Sequence, residues 1–354
     1  MGIKRTQLLL SFISILALFS SCKDQKGKQL ILERPVCNSI YYWKTRFTLD
    51  DYEQSFLKAH DIHRMYVKYF DVDDDAPSPY SEAKRIVPVA TTFFESPKPD
   101  DVEIVPTVYL TLRAISFIEK STGGSKEAAQ KIVTRVLNMA DYNDMGPIQE
   151  VQLDCDWTQT TQDTYFSLCK EVGLLLKEKG ITLSSTIRLH QLSTPVPPVD
   201  RGVLMLYNTG NLQSASETNS IISINNVAKY LKGKRIEYGI PLDFAYPTYS
   251  WGLVYRNNYF QGIIHQFDFS NTDLYESEGK GLYTVKQYHV VEGESIYMDS
   301  RIRVERSPYD VILGVKELVN KAFPDMPHSN IIYHLDSNNL SKYTTDEIKS
   351  IYRN

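Results

Sequence analysis

The chain has 354 residues, 39 basic against 43 acidic side chains, a formal net charge of −4 and 42% hydrophobic residues. The acidic balance and lack of a basic run exclude an organising nucleic-acid surface. The length and ordinary hydrophobicity allow one large core or two small ones. The outlying count is 24 tyrosines.

At the start of the chain Lys4 and Arg5 precede a mainly apolar stretch from Leu8 to Phe19, followed by Ser20, Ser21 and Cys22. This order of charge, apolar run and small residues is that of an export signal over residues 1–21. The run is too short for a hydrocarbon core of roughly 30 Å, and nothing later supplies the roughly 18 apolar residues of a spanning helix. The small-small-Cys ending resembles the lipobox of bacterial lipoproteins, with Phe19 where Leu is usual. It implies lipidation of Cys22, a membrane anchor and a cell-envelope location; cleavage by the ordinary signal peptidase is the alternative. Residues 22–37 open with Lys23-Asp24-Gln25-Lys26-Gly27-Lys28 and read as a tether. Loss of residues 1–21 removes two positive charges and moves the formal charge from −4 to −6.

From residue 38 onward β-rich runs alternate with helical patterns without a Gly/Ser/Pro linker, which predicts one domain of βαβ units over 38–354. Strands are expected at 39–47, 64–71, 102–111, 148–154, 182–189, 202–208, 240–246 and 330–335. Helices are expected to open at Thr48 or Asp50, Ser125, Thr160 or Thr161, Ser223, Ser307-Pro308 and Thr345, with Gly180 stopping the third. Eight strand-helix units describe an α/β fold, a single (β/α)₈ TIM-like barrel. Residues 72–101 and 252–306 exceed the minimal barrel and form insertions after strands 2 and 7. Both follow strand C-terminal ends, the face where barrels place their sites.

The fourth strand, Gln149 to Trp157, turns Val151, Leu153 and Cys155 to the helices and Gln152, Asp154 and Asp156 into the barrel. Two carboxylates at a strand's C-terminal end are costly to desolvate, so at least one perturbed pKa is expected. The bland alternative is that they cap a helix or neutralise an arginine. The fifth strand directs Arg188, the natural partner of Asp154 or Asp156, and His190 inward; both residues also admit a purely structural role. Strand seven places Asp243 mid-strand and Tyr246, Tyr249 and Trp251 at and beyond its end. With Trp43 and Trp157 these aromatics would suit stacking on sugar rings, or else core and rim packing. Further inward candidates are Lys68 and Asp71, Tyr207 and Asn208, and His334 with Asp336. Three cysteines besides Cys22, namely Cys37, Cys155 and Cys169, cannot complete a disulfide framework. They are expected as buried thiols with at most one bridge. No CxxC or HExxH spacing supports a metal site, and no cofactor is expected.

The segments Glu150 to Trp157, Ser184 to Leu192 and Pro241 to Pro247 resemble an uncharacterised family of exported barrel lipoproteins of the Bacteroidota, similar to glycoside-hydrolase barrels. The resemblance spans most of 38–345. It implies the fold, an outer-membrane location and a glycan ligand, and carries over no catalytic residue. Asp154-x-Asp156 also resembles the acidic strand end of chitinase-like barrels, whose DxxDxDxE pattern ends in a Glu; here Trp157-Thr158 stands in that place. The first expectation is hydrolysis of a glycan by two carboxylates, Asp154 and Asp156, with Asp243 or Asp336 as an alternative second acid. The second is a non-catalytic envelope lipoprotein that binds a glycan or a protein on an enzyme-like barrel. A metal-assisted hydrolase using Asp71, Asp154, Asp156 and His190 ranks behind both.

Overall fold

The structure is a computed structural model that describes residues 34–78 and 80–354. The expected signal, Cys22 and most of the tether lie outside the described residues. Eight parallel strands form the barrel: β1 Asn38–Tyr42, β2 Ile62–Asp74, β3 Glu103–Leu110, β4 Glu150–Asp154, β5 Thr182–Arg188, β6 Arg201–Met205, β7 Leu242–Pro247 and β8 Asn330–Tyr333. Each pairs with its sequence neighbour, and β1 pairs with both β2 and β8, which closes the sheet. The expected (β/α)₈ barrel is therefore present. Its strands are shorter than expected at most ends; only β2 is clearly longer. The run 39–47 breaks after Tyr42, and Arg46–Phe47 instead pairs with Phe93–Phe94.

The helices follow from local signals. Asp50 caps α1 (Asp51–Ala59), with a reciprocal bond from Glu53 back to the cap. A helix absent from the expected set, α2 (Leu112–Lys120), is capped by Thr111. It runs into α3 (Gly124–Tyr142), whose start at Gly123 rather than Ser125 has no side-chain cap. Helix α4 (Gln162–Lys177) ends before Gly180, whose φ of +70° suits only glycine comfortably. Ser223 caps α5 (Ile224–Leu231), and Pro308 precedes α6 (Tyr309–Ala322). After β8, Asp336 caps the short α7 (Ser337–Leu340), and Thr344 caps α8 (Thr345–Tyr352).

The two faces of the sheet separate as the pleat requires. Val151, Leu153 and Cys155 are fully or almost fully buried on the outer face, with Tyr165, Leu168 and Cys169 of α4 in the same core. Gly202 of β6 lies where a Cβ would meet Leu242 Cδ2 at 2.7 Å and Ile187 Cγ1 at 3.0 Å, so only glycine lets these outer-face chains close over it. Cys37, Cys155 and Cys169 are all free thiols. After β2, Ile86–Val89 folds back antiparallel onto that strand. After β7 comes a larger elaboration: a five-stranded antiparallel sheet (251–256, 259–264, 275–279, 282–285, 301–305) and a hairpin (289–291 with 294–296). It has its own small core of Val254, Ile264, Tyr275, Val285, Ile296 and Ile302.

Candidate active site

The floor of the barrel is a set of mutually paired polar residues near the strands' N-terminal ends. Arg64 donates to Glu103 at 3.0 Å, Ser184 donates to Glu150 at 2.5 Å, and Arg201 meets Asp243 at 3.2 Å. Asp243 also accepts the Ser329 N–H at 2.7 Å. This places Asp243 in a structural ion pair at the opposite end from the mouth, so its expected role as a second acid is corrected. One layer up, Tyr41 crosses the barrel to donate to Gln152 Oε1 at 2.7 Å, and its ring stacks on Tyr66 at 5.0 Å.

The top layer carries the carboxylates. Asp154 ends β4 and is 2% exposed. Thr186 of β5 donates to its Oδ1 at 2.6 Å, and among the described residues no hydrogen bond reaches its Oδ2. Burial pushes the Asp154 carboxyl up to about 6, Asp156 adds to the rise, and Arg188 and Thr186 oppose it. Asp156, the next residue on the same face, is 46% exposed and takes an ion pair from Arg188 Nε. Burial works against the Arg188 charge, and Asp156 and then Asp154 more than restore it, holding this guanidinium firmly ionised. The strand end thus pairs one desolvated carboxyl that can hold a proton near neutrality with one half-solvated carboxyl that is ion-paired to a mostly buried arginine.

A β-bulge explains how Lys68 and Asp71, three residues apart, reach the same face. The β2–β3 register slips between Lys68 and Phe70, so Phe70 turns outward to lie under Arg135 of α3 while Asp71 turns inward and pairs with Lys68 at 3.2 Å. Burial raises the Asp71 carboxyl, and Lys68 counteracts that rise. The Lys68 ammonium also stands 5.9 Å from the Trp43 ring.

Aromatic rings form the wall opposite. Tyr333 of β8 sits at the centre, with Tyr207 stacked at 4.6 Å, Tyr41 at 5.6 Å, Tyr249 at 5.7 Å and Trp43 at 6.0 Å. The Tyr207 hydroxyl is buried without a hydrogen-bond partner, and Tyr249 donates to Asn208 Oδ1 at 2.6 Å. Trp251 stacks edge-on with Tyr249 and donates its indole N–H to Glu305 at 2.8 Å. Trp43, Asn208, Tyr249, Trp251, Tyr333, His334 and Asp336 then continue into a cleft of about 1640 Å³. Its other wall is the elaboration after β7, through His265, Phe267, His289 and Glu292. The cleft lies on the β1, β7 and β8 side of the mouth and does not include Asp154 or Asp156.

Further expectations are corrected. Tyr246 shares the outer face with Phe244, which packs on Phe323 and His328, so it lies under the helices rather than in the mouth. Trp157 turns outward two residues after Cys155 and packs against Tyr165 and Phe166 of α4, 1% exposed. His190 falls on a 3₁₀ turn, Leu189–Ser193, beyond the strand, where it is largely exposed; partial desolvation and then Arg188 hold it below the usual histidine value. On β8 the axial residue is Tyr333, while His334 follows it into the cleft wall with its pKa depressed to about 4, chiefly by burial. Asp336 caps α7 and stands 3.8 Å from Lys44, on the cleft wall rather than beside Asp154. Tyr41, Tyr66 and Tyr333 were missed as site residues. The signal for Tyr41 was its position two before Trp43 on one strand.

No protein-family model matches the chain, and no curated protein sequence matches it. Solved structures do. A chitinase from Chromobacterium violaceum superposes with a TM-score of 0.52 and 11% identity, over 90% of this chain and 99% of that one. The fold is that of these barrels. The Bacillus cereus spore cortex-lytic enzyme SleL aligns with a TM-score of 0.51 and 14% identity, over 90% of this chain and 74% of that one. An Ostrinia furnacalis Group IV chitinase in complex with allosamidin aligns with a TM-score of 0.50 and 10% identity, over 90% and 98%.

Proposed function

We propose that this protein is a glycan-directed, glycoside-hydrolase-like barrel of the cell envelope that cleaves a glycosidic bond at the Asp154–Asp156 end of β4. The observation that carries this reading is the split between the two carboxyls: Asp154 is desolvated and raised to about 6, whereas Asp156 is half-solvated and paired with Arg188. Such a split assigns the proton donor to Asp154 through its free Oδ2, and to Asp156 the anionic partner of the positive charge that develops on the sugar ring. The tyrosine and tryptophan wall supplies flat faces for sugar C–H surfaces. Similarity to a chitinase and to a spore cortex-lytic enzyme supports a glycan substrate. Residues 1–22 support export and anchoring by an acylated Cys22.

A second reading, a barrel that binds a glycan without cleaving it, is favoured by the position of the cleft, which is lined by Trp43, Tyr249 and Trp251 and includes neither Asp154 nor Asp156. One experiment separates the two. The purified protein is presented with a panel of plant, host and bacterial-wall glycans, and each is scored for retention and for new reducing ends. Retention with release supports hydrolysis, retention without release supports the binding barrel, and neither on any glycan overturns both.

A further inference from the structure

The cleft between the mouth and the elaboration after β7 has an uneven charge pattern. Each carboxylate on its wall is already engaged. Asp268 accepts the Ser270 N–H at 2.9 Å, Glu292 accepts the His265 N–H at 2.7 Å, and Asp336 takes both the backbone and side-chain N–H groups of Asn339 at 3.0 Å. Lys44 is likewise committed, to Glu53 at 2.5 Å and, more loosely, to Asp336 at 3.8 Å.

Two cations on the same wall are not committed. The Arg306 guanidinium makes no side-chain hydrogen bond or ion pair among the described residues. Lys342 makes no ion pair there; its ammonium donates to Ser250 Oγ at 2.9 Å and Asn339 Oδ1 at 3.0 Å. Those two neutral acceptors orient the ammonium and leave one of its three protons for a ligand. Arg306 and Lys342 line the same cleft wall, and partial desolvation, then the Arg306 charge, hold the Lys342 pKa below the usual lysine value against the opposing pull of the Asp336 carboxylate. Like-charged neighbours on an otherwise acidic protein are a standing electrostatic cost, which an incoming anion relieves. Trp251 and Tyr249, both mostly buried, line the same wall.

We propose that Arg306 and Lys342 form an anion subsite that selects an acidic glycan, with the carboxylate or sulfate of one sugar held by the two cations while neighbouring rings pack on Tyr249 and Trp251. This rests on the glycan reading above and names the substrate class for it. Arg306 supplies the planar fork that matches a carboxylate or sulfate with two parallel N–H bonds, and Lys342 supplies a point charge.

The test measures affinity for polygalacturonate against the same polymer with its carboxyls reduced, and for dextran sulfate against dextran, using wild type and the double variant Arg306→Gln/Lys342→Gln. Both residues are exposed, so the double variant is expected to keep the wild-type melting temperature. At low salt the wild type should bind at least one acidic polymer ten-fold or more tighter than its neutral counterpart, and the double variant should lose that preference while keeping its neutral binding. Preference confined to polygalacturonate assigns the subsite to carboxylate, and preference confined to dextran sulfate assigns it to sulfate. Equal binding of acidic and neutral polymers, or a preference that survives the double substitution, overturns the anion subsite and leaves the glycan reading standing. Binding of no polymer here, combined with no retention on the wider panel, overturns both.

Discussion

Replacing Asp154 by Asn should stabilise the protein at neutral pH and leave it unchanged in acid. The carboxyl ionises near 3.8 when free and at about 6 in the fold. Folding therefore opposes its ionisation, and the wild type carries a penalty that is absent below pH 3.8, grows as pH rises from 3.8 to 6, and is constant above. The difference of about 2 pKa units corresponds to roughly 3 kcal/mol, at 1.36 kcal/mol per unit. Asn keeps an oxygen for the Thr186 hydroxyl and occupies the same volume, so little is lost in exchange. At about 2 °C per kcal/mol for a chain of this size, Asp154→Asn should melt about 4 to 6 °C above wild type at pH 7.5. The two melting curves should converge by pH 4. Urea or thermal melts across that range check it. A variant less stable than wild type at pH 7.5, or a difference that does not change with pH, would refute a desolvated, raised carboxyl at this position.

Four other outcomes follow from the same geometry. Arg188→Gln removes the cation that favours ionisation of Asp154, so the acid's pKa should climb further above 6 and the basic limb of any pH–activity profile should move to higher pH. Asp243→Asn should cost about 1 to 3 kcal/mol by leaving Arg201 without its buried partner, seen in denaturant melts, while glycan cleavage below the melting point stays at the wild-type rate. Tyr246→Phe, which deletes a buried hydroxyl that has no partner, should change stability by less than about 1 kcal/mol and leave glycan affinity alone, whereas Tyr207→Phe should weaken glycan binding measurably by calorimetry. Gly202→Ala should destabilise by about 1 to 3 kcal/mol, because its methyl must displace Leu242 and Ile187.

The barrel was legible because its signals are local and repeated. Caps such as Asp50 and Ser223 and the stop at Gly180 mark helix ends, and the alternation over 150–156 fixes which way Asp154 and Asp156 turn. What was less legible depended on partners distant in sequence. Mid-strand Asp243 has the same pattern as a catalytic acid, and only its meeting with Arg201 and Ser329 shows it to be part of the floor. Period-two counting continued past Cys155 sets Trp157 on the outer face over α4, where it lies, but the same counting carries β5 on to His190 where the chain turns into a 3₁₀ segment. Lys68 and Asp71 both face inward as expected, and it is the bulge between them that reconciles this with their odd spacing on one strand. Arg306 follows the last strand of the elaboration after β7 and Lys342 follows α7, so their shared place on the cleft wall leaves no trace in local spacing.

The most direct measurement of the central claim is release of reducing ends from a retained glycan by wild type, Asp154→Asn and Asp156→Asn, each verified as folded by its melting curve. The account predicts release by wild type, loss of about two orders of magnitude or more in both variants, and undiminished retention of the glycan by Asp154→Asn. Release that survives both substitutions would place the chemistry elsewhere and contradict it.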